Sequence, residues 1–169
     1  LRRTKVAMVF QNFGLISNRN VLENTYYGLE IRGVPLKERT EKAMQMLEMV
    51  GLQGWEKTRI SALSGGMKQR VGIARALAKD SPIILADEPV AALDPVTAKQ
   101  VMQDFVRINE EMGISILLNI HHVELALEYA DRIIGIRAGK IVYDGPSANV
   151  DQSVLDAIYG DDSETEADA

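Results

Sequence analysis

Leu63-Ser64-Gly65-Gly66-Met67-Lys68-Gln69-Arg70, followed one helix-length segment later by Ile83-Ile84-Leu85-Ala86-Asp87-Glu88-Pro89, decides how this chain is read. A Ser-Gly-Gly turn entering a basic helix offers backbone N–H groups at a positive helix end. An apolar strand ending in two carboxylates supplies groups suited to a metal ion. Together they are a way to hold phosphates and a metal. The same chemistry ordinarily uses a G-x-x-x-x-G-K-[ST] loop to cradle the phosphates, and this sequence contains none. Its Gly-Lys pair, Gly139-Lys140, is followed by Ile141.

Working outward, Val6 to Phe10 is a β-rich apolar run ending at Gln11, and Asn12, Gly14, Ser17 and Asn18 mark a loop beyond it. Val21 to Ile31 and Leu36 to Val50 carry apolar residues at helical spacing, and Gly51 closes the second as a C-cap. Ser64 caps a third helix with an amphipathic body, Met67 to Ala78. From Pro82 strands and helices alternate: strand Ile83 to Ala86, helix Val96 to Met112, strand Ile114 to Ile120, helix His122 to Ala130 and strand Arg132 to Ile136. Ala138-Gly139-Lys140 reads as a tight hairpin into Ile141 to Tyr143, and a last helix covers Val154 to Tyr159. Strands separated by helices imply a parallel sheet covered on both faces.

With 169 residues, 46% of them hydrophobic, the chain is long enough for one sizeable core and too short to promise two independent domains, so one compact unit is expected. The net charge of -5 gives no basic field to attract nucleic acid, and part of the acidity is local to Gly160 to Ala169, which reads as a solvated, disordered tail. The absence of Cys excludes disulfides, thiolate zinc sites and cysteine nucleophiles. The apolar runs are strand-length, so membrane attachment is expected through a partner. The opening Leu1-Arg2-Arg3-Thr4-Lys5 runs directly into a strand, and the expectation is an N-terminally truncated protein.

The text LSGGMKQRVGIARALA and IILADEPVAALDP resembles the nucleotide-binding subunits of ABC transporters, and the resemblance extends from Val6 to Tyr159. What it implies is an α/β fold: a partial P-loop NTPase core with a parallel sheet and an α-helical subdomain, the phosphate loop being absent. Within a single partial ATPase domain, residues 1–20 carry a core strand and the Q-loop, 21–79 the helical subdomain with the signature motif, 80–159 the α/β core, and 160–169 the acidic tail. The resemblance assigns Asp87 to the magnesium-linked carboxylate, Glu88 to the residue that polarises water, and His121 to the switch histidine that senses the γ-phosphate. Gln11 matches the Q-loop glutamine, which contacts metal and attacking water. Ser64, Gly65, Gly66 and Gln69 fall in the nucleotide-binding set, and Asp94 matches a carboxylate that reaches across a dimer. Taken singly, each has a plainer reading: a solvated strand end at Asp87-Glu88, an Asp-Pro turn at Asp94, a capped helix at Ser64. It is their order and spacing that carry the resemblance.

The family's cofactors are ATP and Mg2+. Its partners are a second ATPase subunit closing a sandwich, transmembrane permease subunits and, indirectly, a substrate-binding protein, at the cytoplasmic face of the plasma (inner) membrane. RINEEMGISILLNIHHVELALEYADRIIGIRAGKIVYDGP resembles the phosphonate importers, whereas VLENTYYGLEIRGV with LSGGMKQR is similar to importers of glycine betaine and related quaternary amines. The expected role is therefore ATP hydrolysis coupled to solute uptake, with phosphonate ahead of glycine betaine as cargo. A non-catalytic ABC scaffold is the alternative. Without the phosphate loop and the adenine-stacking aromatic, the 169-residue chain is expected neither to bind ATP tightly nor to hydrolyse it.

Overall fold

Short continuous apolar runs form three strands side by side: β1 (Val6–Val9), β2 (Ile83–Asp87) and β3 (Ser115–Asn119). The computed structural model describes residues 5–160; the expectations for Leu1 to Thr4 and for the acidic tail from Asp161 onward lie outside the described residues. The chain divides after His121 into two units.

In the first unit the strands pair in parallel in the order β1-β2-β3, with Ala7 opposite Ile84, Val9 opposite Ala86, and Asp87 opposite Asn119. Ala7, Val9, Ile84 and Ala86 point to one face and are no more than 2% exposed. The alternate positions behave differently, since Met8 is 43% and Leu117 57% exposed. The sheet is thus covered on one face rather than on both, as the strand-helix alternation had implied. The described helices close over the face of Ala7 and Ile84 and leave the other apolar.

Those helices start and stop where their caps dictate. In α1 (Val21–Ile31), Asn20 accepts from the Glu23 N–H while the Glu23 carboxylate accepts from the Asn20 N–H, a reciprocal capping box. Asn24, fully buried on α1, donates to the carbonyls of Ile16 and Asn20 and accepts from the Ile16 N–H, so its amide is satisfied and the preceding loop is fastened. Helix α2 (Leu36–Met49) follows Pro35 and turns off at Gly51, whose φ of +69° favours glycine. Its inward residues Ala43 and Leu47 are fully buried, and α1 and α2 both pack on α3 (Gly65–Leu77). Helix α4 (Pro95–Met112) has Asp94 as N-cap, proline at its first position and Gly113 at its left-handed end. Arg70 of α3 and Arg107 of α4 both donate to the buried Asp104 carboxylate, tying the two helices together.

The second unit contains α5 (Val123–Tyr129), β4 (Arg132–Arg137), β5 (Lys140–Pro146) and α6 (Gln152–Tyr159). The expected hairpin is present: Ala138 and Gly139 both take positive φ, and β4 and β5 pair antiparallel in a sheet of their own. Arg132 grips Asp144 across this ribbon through two hydrogen bonds of 2.7 and 2.9 Å. A methyl group on Gly135 would lie 2.5 Å from Ile158, so α6 rests directly on the backbone of β4.

Candidate functional site

Parallel strands send their carboxyl ends to one edge, and in open α/β sheets that edge is where ligands bind. Here Gln11 lies just beyond β1, Asp87 and Glu88 end β2, and His121 lies just beyond β3. The backbone delivers Glu88 in an unusual way. Its φ is +44°, in the left-handed region, which costs a non-glycine residue about 1 kcal/mol or more. Its N–H donates to the Asn119 carbonyl at 2.9 Å, and the buried Pro89 follows, so the turn is held from both sides.

The result is a carboxylate contacted through both oxygens. Oε2 of Glu88 accepts from the Gln11 side-chain amide at 3.1 Å, and Oε1 lies 3.0 Å from Nε2 of His121. The Glu88 side chain is 25% exposed whereas that of His121 is 72% exposed, so the carboxylate is partly sheltered and the ring stands in solvent. Each carboxylate oxygen has more than one acceptor direction, which leaves Glu88 able to accept a further hydrogen from water. Asp87 is held separately: its Oδ1 accepts from the side-chain amide of Asn119 at 2.8 Å. Asn119 went unread in the sequence as a site residue. The signal that could have found it is register, since Asp87 and Asn119 are direct partners across β2 and β3.

A second group lies on two helix starts. Ser64 caps α3, its Oγ accepting from the Met67 N–H at 3.3 Å, and Gly65 and Gly66 form the first helical positions. A methyl group on Gly65 would lie 3.2 Å from Leu93, and one on Gly66 2.3 Å from Thr97 Cγ2. The Ser64 turn therefore adjoins the start of α4, where Asp94 accepts from the Thr97 N–H at 3.0 Å. These hydrogen bonds from Thr97 hold the Asp94 carboxyl below its ordinary range. Among the described residues, no hydrogen bond or ion pair joins the Ser64 turn to Gln11, Asp87, Glu88 or His121.

Gln69 departs from the group in which the sequence placed it. It is fully buried, one helical turn from Ile73 on the inward face of α3, and neither amide atom has a hydrogen-bond partner among the described residues. Helical periodicity is the reason. Ser64 and Gly65 face the surface turn, while the next residues on the inward face, Gln69 and Ile73, are carried into the core.

The family model described as "ABC transporter" matches residues 1–91, a span containing Gln11, the Ser64 turn, Asp87 and Glu88. The chain belongs to the ABC transporter family. Among ABC relatives, the phosphonates import ATP-binding protein of Lactococcus lactis subsp. cremoris is 52% identical over 165 residues, covering 93% of this chain and 67% of that protein. The protein of the same name from Staphylococcus haemolyticus is 48% identical over 168 residues, covering 95% of this chain and 65% of its own length. The chain spans about two thirds of the length of the curated relatives it matches. Among solved structures, a dimeric post-hydrolysis ATP-binding cassette bound to ADP and Pi superposes with a TM-score of 0.74 at 37% identity, covering 86% of this chain and 64% of that one. A Clostridium perfringens protein that is part of an ABC transporter complex gives a TM-score of 0.80 at 26% identity, covering 86% and 58%.

Proposed function

We propose that this chain supplies the water-activating half of an ATP-hydrolysing importer subunit, with phosphonate as the cargo of the assembled transporter. The observation that carries the reading is the Glu88 carboxylate held between the Gln11 amide and the His121 ring at the carboxyl edge of a parallel sheet. A general base must be oriented before it is useful, and here the Gln11 amide donates to one carboxylate oxygen while the His121 ring lies 3.0 Å from the other. In this reading Glu88 polarises the attacking water, Gln11 aims Glu88 and the water, and His121 donates from its exposed ring to a phosphate oxygen. Ser64, Gly65 and Gly66 present a hydroxyl and helix N-terminal N–H groups to the γ-phosphate of a nucleotide seated on a second subunit. Asp94 sits beside that turn, at the same subunit boundary.

Asp87 suits a magnesium ion. One of its oxygens is occupied by the Asn119 amide, the other has no donor among the described residues, and the residue is exposed at the strand end. Magnesium is commonly held by one or two carboxylates together with substrate phosphates and water, so Asp87 and the Gln11 carbonyl oxygen are a sufficient protein contribution. When bound, the ion neutralises charge on the phosphates.

The absence of a G-x-x-x-x-G-K-[ST] loop sets the chain's dependence: by itself it neither binds ATP tightly nor hydrolyses it. No described helix is long and apolar enough to cross a membrane, which fits attachment at the inner membrane through permease subunits. A substrate-binding protein would choose the solute. The relatives' names favour phosphonate over glycine betaine. The test is complementation. The N-terminal third of the Lactococcus lactis relative is fused ahead of Leu1 and expressed in a strain lacking its own phosphonate-import ATPase. Growth on an alkylphosphonate as sole phosphorus source is expected, and Glu88→Gln abolishes it. Rescue of betaine uptake instead would move the assignment to the quaternary amine importers, and rescue of neither would favour a scaffold.

A further inference from the structure

Helix α3 is hydrogen-bonded to the loop that carries Gln11 through the Arg75 side chain. The Arg75 guanidinium donates to the Gly14 carbonyl at 2.5 Å and to the Phe13 carbonyl at 3.0 Å. The two residues it grips are consecutive left-handed ones, Phe13 at φ +59° and Gly14 at φ +55°. A non-glycine residue in that region persists only where its surroundings hold it. The loop's own bonds are short-range, from the Phe13 N–H to the Phe10 carbonyl and from the Gly14 N–H to the Asn12 carbonyl. The remaining support among the described residues is Arg75, with the Phe10 ring beside it against Gly14 and the Phe13 carbonyl lying against Gly72 of the same helix.

We propose that Arg75 is a positioning residue for Gln11: by clamping the Phe13-Gly14 turn to α3, it keeps the Gln11 amide on the Glu88 carboxylate. The inference rests on the assignment of Gln11 and Glu88 to the hydrolytic site. It adds a mechanical link, because the same rigid helix begins at the Ser64-Gly65-Gly66 turn. Displacement of that turn is carried along α3 to the loop that orients Glu88. A stabilising role alone fits Arg75 poorly. Among the described residues no carboxylate pairs with it, and burial alone pushes its guanidinium below the usual arginine range. An unpaired, partly buried cation is a costly way to gain stability, whereas two diverging N–H donors on two successive carbonyls fix a turn.

The experiment is NMR on the 15N-labelled 169-residue chain. It follows the Gln11 side-chain NH2 resonances and the hydrogen exchange of the Phe13 and Gly14 amides. Glu88→Ala supplies the reference for a Gln11 amide without its acceptor. Arg75→Met is expected to move the Gln11 resonances most of the way to that reference and to speed Phe13 and Gly14 exchange roughly tenfold or more, as two charge-assisted hydrogen bonds are lost. Arg75→Lys, which keeps the charge but reaches one carbonyl at a time, should fall between, and its smaller effect also serves if Arg75→Met does not fold. Arg70→Gln, on the same helix but paired with Asp104, should leave Gln11 in place. Gln11 resonances unmoved in either Arg75 variant, or moved equally by Arg70→Gln, would overturn the proposal. The measurement needs no nucleotide, so a failure of ATP hydrolysis in the fusion protein would discard the functional reading while leaving the clamp standing.

Discussion

Gly66→Ala tests whether the close approach of α3 to α4 is what the Ser-Gly-Gly turn requires. Gly66 has ordinary helical φ, so backbone strain is not at issue. An added methyl would lie 2.3 Å from Thr97 Cγ2, where carbon atoms prefer about 3.5–4.0 Å. Thr97 has little freedom to yield: it is β-branched, and its N–H is committed to the Asp94 cap. Overpacking of this kind costs about 1–3 kcal/mol. Replacing glycine by alanine within a helix returns up to about 1 kcal/mol. The net expectation is a destabilisation of roughly 0–2 kcal/mol, centred near 1, corresponding to a Tm about 2–4 °C lower for a chain of this size. The decisive comparison is the double variant with Thr97→Ser, which deletes Cγ2 and keeps the hydroxyl. Urea unfolding of the four chains should show the double variant recovering most of the loss, a coupling above about 0.5 kcal/mol. Strict additivity of the two substitutions would refute the steric argument.

Other outcomes follow from the same contacts. Leu47→Ala, at a fully buried position of α2, should lower stability by about 2–5 kcal/mol in denaturant unfolding. Asp94, Asp144 and Asp151 are each held below the ordinary carboxylate range, by hydrogen bonds chiefly from Thr97, Arg132 and Ser153 respectively. A depressed folded-state value stabilises the fold above the unfolded value near 4, and the contribution is lost as pH falls below it. Circular dichroism at stepped pH should therefore show stability flat from neutrality to about pH 5 and declining below about pH 4. Asp94→Asn and Asp151→Asn should each flatten that decline, because asparagine still caps a helix but does not titrate.

Local chemistry explains why so much of the fold was legible. Asn20, Ser64, Asp94 and Gly113 punctuate the helices where their cap preferences place them, and Ala138-Gly139 turns the ribbon. The bare face of the sheet was not legible, because an apolar strand reads the same whether its second face is covered or exposed. The apolar runs stop at Gln11, at Asp87-Glu88 and at His121, so the place of these residues at the strand ends was readable. Asn119 was not, since its role depends on strand register, a property of pairing rather than of local sequence. The burial of Gln69 was not legible, because a short motif invites treating its residues as one group, while a helix turns them to different sides. Arg75 was legible only as a charge on an amphipathic helix. Its meaning depends on two carbonyls in a loop sixty-one and sixty-two positions away in sequence.

Mg2+-dependent ATP turnover, measured side by side on the 169-residue chain, on its fusion to the N-terminal third of the Lactococcus lactis relative, and on that fusion carrying Glu88→Gln, tests the central claim most directly. The account predicts no turnover by the chain alone, sustained turnover by the fusion, and a loss of about 10²- to 10⁴-fold on removing the base. Turnover by the chain alone, or a fusion indifferent to Glu88, would contradict it.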